Sequence, residues 1–391
     1  MRMLGSGTIG TLSAIFTVAM LTVAPVRAQE PIKVGVLVVQ GGSMAVMGNG
    51  AVTAIRLAFE EEGPTIAGRK YQLIVDDDEA KTDVALAKLR KLIEFERSDV
   101  LISSLVSNVS LATRDYISAQ KVPTLTMGGS SALTRDKKSP NYFRVAPSSF
   151  QWGTAAAHFL IDKMKWKKVV LIGSNYLAPR EGMAAAAKIF GDAAVVESLW
   201  PPAGVIDYAP FLSKLINVQA DGAIVAVWNA DVLKFIPQYS DYGLDKKIPI
   251  FGVASFASED YLQGMPQQIE GTLSASNYCG TLDSEANKKF VAAYKAKVGA
   301  APGLYQYFSY VSAKLIVSAI KKVGGKVEDR EAFTRAIAEA RVDGPMGEVH
   351  FDENNGLVAD MFVMKIQGSA PNRQNICLDR IRGVKDDYSM N

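Results

Sequence analysis

From Lys33 onward the chain alternates short β-branched runs with helix-like segments, and after Lys168 the alternation starts again. This rhythm specifies an α/β fold, because a parallel strand is reached only through a crossover, and the crossovers are helical here. In the first half the predicted strands are Lys33–Val39, Tyr71–Asp76, Val100–Ser103, Pro123–Met127 and Tyr142–Val145. The helices between and after them fall at Ala51–Glu62, Thr82–Phe95, Asn108–Gln120 and Ala132–Asp136. In the second half, strands at Lys168–Gly173, Ala194–Leu199, Gly222–Val227 and Ile248–Gly252 alternate with helices at Gly182–Phe190, Tyr208–Leu215 and Asp231–Tyr242. In each half the strand after the third helix opens with Lys-apolar-Pro, at Lys121-Val122-Pro123 and Lys247-Ile248-Pro249. That echo predicts two lobes of like fold rather than one long sheet. Helices follow near Ser284–Val298, Tyr305–Val323 and Asp329–Ala340, then a hairpin arm with an Asn-Asn-Gly turn, Val349–Gly356, and Val358–Ile366 as its partner.

Ahead of the first strand, Arg2, the apolar run Leu12–Ala24 and the sequence Val26-Arg27-Ala28 read as a secretory signal, residues 1–28, cleaved after Ala28. A retained membrane anchor is the alternative reading, disfavoured by the short stretch and its Thr and Ser interruptions. Formal net charge is +3, and removing Arg2 and Arg27 leaves +1. With no basic block or basic-aromatic stripe, nucleic acid is not an expected partner. Cys279 and Cys377 are the two cysteines; after export they can form one bridge tying the polar C-terminal tail to the body, or remain separate buried thiols.

Most catalytic constellations are missing. His158, in a helix facing partly inward, and His350, in a strand, lack a second ligand at metal spacing, so zinc is not expected. No G-x-S-x-G elbow occurs. The Gly41–Gly50 loop fits neither G-x-G-x-x-G nor a Gly-Lys-Ser/Thr phosphate loop. The acidic run Asp76–Glu79 reads as a solvated strand end, with Thr82 or Asp83 capping the next helix, because adjacent strand residues face opposite ways and make poor chelators. No cofactor and no enzymatic activity are expected, since no base–nucleophile pair appears.

The strand ends are small and hydroxyl-rich. SSLVSNVS (Ser103–Ser110) and MGGSS (Met127–Ser131) each run from a strand into a helix. Ligands of open α/β sheets bind beyond the carboxyl ends of strands, where helix N-termini offer free N–H groups. Ser107, Gly128, Gly129 and Ser130 therefore form a candidate cradle for a small carboxylate, with ordinary caps and turns as the alternative reading.

IKVGVL, the Gly/Ser loop after it and LAFEEEGPTIAGRKYQLIVDDDEAKTDVALAKLRKLI resemble the Leu/Ile/Val-binding family of periplasmic solute receptors serving ABC importers. VPTLTMGGSSALT, NYFRVAPS, IDYAPFLSKL and GAIVAVW extend the resemblance over the mature chain. It implies two similar Rossmann-like lobes with parallel sheets, joined by three hinge crossings and closing on a solute. The N-terminal lobe would comprise 29–147 plus 278–345, and the C-terminal lobe and tail 148–277 plus 346–391. By this resemblance Ser107, Gly128 and Ser130 hold the ligand carboxylate, Tyr176 closes from the second lobe, and Trp228 and Asn229 add contacts. Gly41 to Gly50 would line the cleft, with Met44 and Val46 as apolar contacts. Amino-acid receptors of the family place an acid after the strand IPIFG, to hold the ligand ammonium. Here Ala254 or Ser255 stands there, and a buried ammonium without a counter-charge is costly. Asp231 or Glu259 would serve only if the alignment shifts. The expected ligand is therefore an aromatic or keto acid, with Trp228, Tyr176 and Phe256 as flat walls, or as ordinary core aromatics on the alternative reading. A branched-chain or other amino-acid receptor and a sensor for a signalling partner remain the alternatives. The implied setting is the periplasm, with an inner-membrane ABC permease as partner and a monomeric receptor.

Overall fold

Ten of the first eleven strands run parallel within two separate sheets, set by runs such as VLIS, VVLIG and GAIVA that are buried along their whole length. Continuous burial of this kind requires helices on both faces. The structure, a computed structural model, describes residues 30–135 and 139–386; the predicted leader lies outside them.

The first sheet contains β1 (Ile32–Leu37), β2 (Thr65–Ile66), β3 (Arg69–Asp76), β4 (Val100–Ser103), β5 (Thr124–Thr126) and β6 (Tyr142–Arg144), in the order 2-3-1-4-5-6. Only β2 is antiparallel in it. Helices α1 (Ala45–Glu60), α2 (Thr82–Arg90) and α3 (Ser107–Gln120) connect these strands. The chain then enters α4 (Ser149–Asp162) and the second sheet. There β7 (Val169–Gly173), β8 (Val195–Leu199), β9 (Gly222–Ala226), β10 (Ile250–Val253) and β11 (Leu273–Ser276) alternate with α5 (Leu177–Phe190), α6 (Ala209–Leu212), α7 (Asp231–Asp241) and α8 (Glu259–Leu262). After β11 come α9 (Glu285–Val298) and α10 (Leu304–Lys322), which pack on α1 and so return the chain to the first lobe, and then α11 (Arg330–Ala338). The third passage brings β12 (Val342–Gly344), β13 (Gly347–Phe351), β14 (Leu357–Gln367) and β15 (Gln374–Val384) onto the second sheet. The two lobes have separate apolar cores.

Several expectations change. The segment read as a glycine loop is helical: α1 starts at Ala45, not Ala51. Gly48 is there for close packing, since a Cβ on it would lie 1.4 Å from the Val39 carbonyl oxygen. The helix expected over Thr82–Phe95 changes to a π-helical turn at Lys91–Phe95. The helix expected at Ala132–Asp136 is a 3₁₀ turn, Ser131–Leu133, with Asp136 outside the described residues. The acidic strand end is not solvated: Asp78 is fully buried, and Asp76 pairs with Lys88 and Lys91. Lys81, rather than Thr82 or Asp83, occupies the N-cap of α2. His158 lies on the exposed side of α4.

The C-terminal segment is built into the fold. Strand β15 pairs antiparallel with β14, and its Cys377 is bridged to Cys279 across 98 residues. Beyond β15, Asp386 accepts from Arg144 (2.8 Å), Arg135 (3.2 Å) and Ser131 (3.0 Å) of the first lobe. Both partners of the Arg144–Asp386 pair are buried, and burial pulls the guanidinium down while Asp386 opposes the shift.

Candidate functional site

Between the lobes lies a cavity of about 500 Å³, at the carboxyl ends of β4, β5, β9 and β10. Its location follows from topology: parallel strands all deliver their loops, and the N-termini of the next helices, to one end. First turns of α3 (Ser107, Asn108), α4 (Ser149), α7 (Asp231) and α10 (Leu304, Tyr305) reach its wall, as does Ala178 in the first turn of α5. The leading N–H groups of a helix have no intrahelical acceptor and carry its positive dipole end, so this rim favours an anion.

Three residues at strand ends have left-handed backbones: Ser104 (φ 26°), Asn229 (φ 57°) and Ala254 (φ 56°). Asn tolerates this region; for Ala it costs roughly 1 kcal/mol. Asn229 and Ala254 lie on the cavity wall, where such strain is often kept to aim backbone groups.

The polar bonding has a direction. Ser107 Oγ accepts the Gly129 N–H (3.1 Å), which leaves its own proton for a ligand. Ser149 donates both its N–H (2.7 Å) and its hydroxyl (3.1 Å) to the Gly129 carbonyl, so its proton is already used. The far wall is aromatic. Trp228 stands edge-on to Tyr176 (centroids 6.0 Å apart) and to Trp152 (5.7 Å). Its indole N–H donates to the Val253 carbonyl (2.8 Å), so only its ring is offered to the cavity. Burial raises the Tyr176 hydroxyl well above its ordinary range and pushes Tyr305 up to about 12, keeping both phenols neutral. Among the described residues of the wall, Asp231 is the one carboxylate; its Oδ2 accepts the Gly204 N–H (2.7 Å), and Lys234 stands one turn further along α7.

Of the residues singled out from sequence, Ser107, Gly129, Tyr176, Trp228, Asn229 and Met44 share this wall. Gly128, Ser130 and Phe256 do not. A Cβ on Gly128 would meet Ser110 Oγ at 2.6 Å, behind the wall. Ser130 is fully buried and donates to Glu181 (2.8 Å). Successive residues of an extended strand end point to opposite sides, so facing Gly129 inward turns its neighbours away. The Phe256 ring is fully buried in the second-lobe core, folded over Gly252. Val46 is 57% exposed, outside the cavity. Ala254, Ser255 and Asp231 all reach the wall, but Glu259 does not. Trp152, Ser149, Asn277, Tyr305 and Phe308 are among the further wall residues and were not foreseen. Only Ser149 carried a local signal, through the capping box Ser148–Gln151 that starts α4.

The sequence profile described as periplasmic binding protein matches residues 31–371. Leu/Ile/Val-binding protein homolog 6 of Brucella suis biovar 1 (strain 1330) is 24% identical over 367 residues, covering 91% of this chain and 92% of that protein. An ABC transporter substrate-binding protein from Sphaerobacter thermophilus superposes with a TM-score of 0.87 at 29% identity, covering 91% of this chain and 99% of that one. A solute binding protein of an ABC transporter from Rhodopseudomonas palustris BisB5, in complex with 3,4-dihydroxybenzoic acid, superposes with a TM-score of 0.85 at 28% identity, covering 91% and 99%.

Proposed function

The chain belongs to the periplasmic binding protein family, as a substrate-binding protein of an ABC transporter rather than an enzyme, and from that premise we propose that it closes its two lobes on a small aromatic or keto acid. The observation that carries this reading is the make-up of the cavity wall. Helix N-termini and the free Ser107 proton suit a carboxylate, and Trp228, Tyr176 and Trp152 suit a flat apolar body. Ala254 and Ser255 provide no counter-charge for an ammonium. The similar Rhodopseudomonas palustris protein holds 3,4-dihydroxybenzoic acid, a ligand of this kind. In this reading Ser107 and Gly129 sit at the carboxylate end, and Tyr176, Trp228, Asn229 and Met44 surround the body. The lobes are 29–147 plus 278–345 and 148–277 plus 346–391, although β12 of the first set pairs with β13 of the second. Residues 1–28 direct export to the periplasm, and the monomeric closed form is presented to a permease.

An amino-acid ligand is the second reading, favoured by the Asp231 carboxylate on the wall. A thermal-shift screen separates the two. Benzoates, phenylpropanoid acids and keto acids are compared with branched-chain and aromatic amino acids; a ligand at 100 times its Kd adds ~2.7 kcal/mol. Stabilisation by ammonium-free acids alone supports the first reading. Stabilisation by leucine or valine assigns Asp231 to an ammonium and overturns it.

A further inference from the structure

The wall residues Leu304, Tyr305 and Phe308 belong to α10, whose body lies along α1 in the first lobe. The first turn of this helix meets the second lobe. Ser258, at the N-cap of α8, accepts the Leu304 N–H through Oγ (3.4 Å). A Cβ on Gly303 would lie 2.6 Å from Ser258 Oγ, 2.6 Å from Asp260 Oδ1 and 2.8 Å from Asp260 Cγ, all inside contact distance. Gly303 is the N-cap of α10, a position that accepts glycine but does not require it. Gly303 has φ −102° and ψ −168°, extended backbone open to any residue, and no positive-φ turn is made. The space at this position is limited by the opposite lobe. The helix end is also anchored: Gly303 N–H donates to Gln306 Oε1 (2.9 Å), and Gln306 Nε2 donates to the Met47 carbonyl (3.5 Å). On the other side Asp260 is confined. Burial raises its carboxyl, and Tyr294 and Tyr305 lie within its field.

We propose that Gly303 is the seat on which the Ser258–Asp260 turn of the second lobe comes to rest, so that residue size at this position sets how far the lobes close. Gly303 is then a positioning residue: without touching ligand, it fixes how firmly Tyr305 and Phe308 are held over the cavity. This rests on the two-lobe capture reading and adds the contact that limits it.

The test uses Gly303→Ala and Gly303→Val in the full mature chain, with spin labels on Lys295→Cys and Lys214→Cys; the native cysteines are bridged and take no label. Interlobe distances are read by pulsed electron paramagnetic resonance, without ligand and with 3,4-dihydroxybenzoate, and release of that acid is timed by stopped flow. Gly303→Val is expected to lengthen the distance and speed release by about tenfold or more, the equivalent of losing one charged hydrogen bond. Gly303→Ala is expected to lie between it and the parent. Adding Ser258→Ala and Asp260→Ala to the valine variant is expected to restore the short distance, because the colliding atoms are gone. Unchanged distances in both variants overturn the seat. So does a lengthening that the added alanines fail to reverse, which marks a loosened helix rather than a collision. If the parent retains no 3,4-dihydroxybenzoate, that ligand assignment falls, and the label distances still decide the seat.

Discussion

Trp228 offers its ring to the cavity and its indole N–H to the Val253 carbonyl, while standing edge-on to Tyr176 at 6.0 Å. One residue thus joins β10, the ligand wall and the start of α5. Trp228→Phe removes the N–H together with one ring of the indole, and is expected to cost at least about 1 kcal/mol of stability. The smaller ring should also weaken ligand binding by roughly tenfold or more, as for an aromatic at the centre of a contact surface. Calorimetric titration with the best ligand, beside a urea denaturation of the free protein, checks both.

Ser107 and Ser149 look equivalent on the wall but differ in where their protons go. Ser107→Ala removes a donor and is expected to weaken acids by about tenfold; it also leaves the part-buried Gly129 N–H without its acceptor, at a cost of about 1 kcal/mol in stability. Ser149→Ala removes a hydroxyl already committed to Gly129, so its effect should appear mainly in stability. Titrating one acid into both variants distinguishes them; equal losses of affinity would contradict the bonding direction.

Glu259 gives the fold a pH dependence. Burial pushes its carboxyl from 4.5 up to about 7, against the lowering effect of donors on Asn375 and Gly280. A raised value means the folded protein binds this proton more tightly than the unfolded chain. The contribution is therefore whole below pH 4.5 and lost as pH rises through about 7. Glu259→Gln keeps the acceptor without the charge. It is expected to gain on the parent from pH 5 to pH 8, by as much as ~3 kcal/mol, in denaturant midpoints taken at each pH.

Asp386 neutralises a guanidinium that has no access to solvent. Asp386→Ala leaves Arg144 buried and unpaired, and should cost roughly 3–5 kcal/mol. Asp386→Asn keeps an acceptor and should cost less. Urea unfolding ranks the two, and a loss below 1 kcal/mol for the alanine variant would show that water reaches Arg144 after all.

The parallel strands were legible because their β-branched runs need no partner to be recognised. VLIS at β4 was placed to the residue. Helix α4 was read only around His158 and given no bounds, because SFQWGTAAAHFLID is buried on most of its surface and shows no clean polar stripe. Strand β15 was read as a tail, since its exposed Arg, Asp and Gln positions hide a ladder that only β14 completes. At the site, strand-end loops announced Ser107 and Gly129 through their composition. Trp152, Tyr305 and Phe308 come from helices whose approach to the cavity is set by the lobe crossings, and no local pattern encodes that approach. Alternate positions of one loop were the finer failure: Gly128 and Ser130 flank Gly129 in sequence but lie behind the wall.

The bridge joins Cys279 to Cys377 over a sequence separation of 98, and a ribosome delivers its two ends in order. For as long as synthesis runs inside that loop, Cys279 has no partner within its own chain. A product interrupted there, or clipped before β15, keeps a thiolate-forming sulfur that the finished molecule lacks. Unpaired sulfur thus becomes a chemical label of incompleteness, readable by any thiol-capturing factor before the chain ever meets a solute.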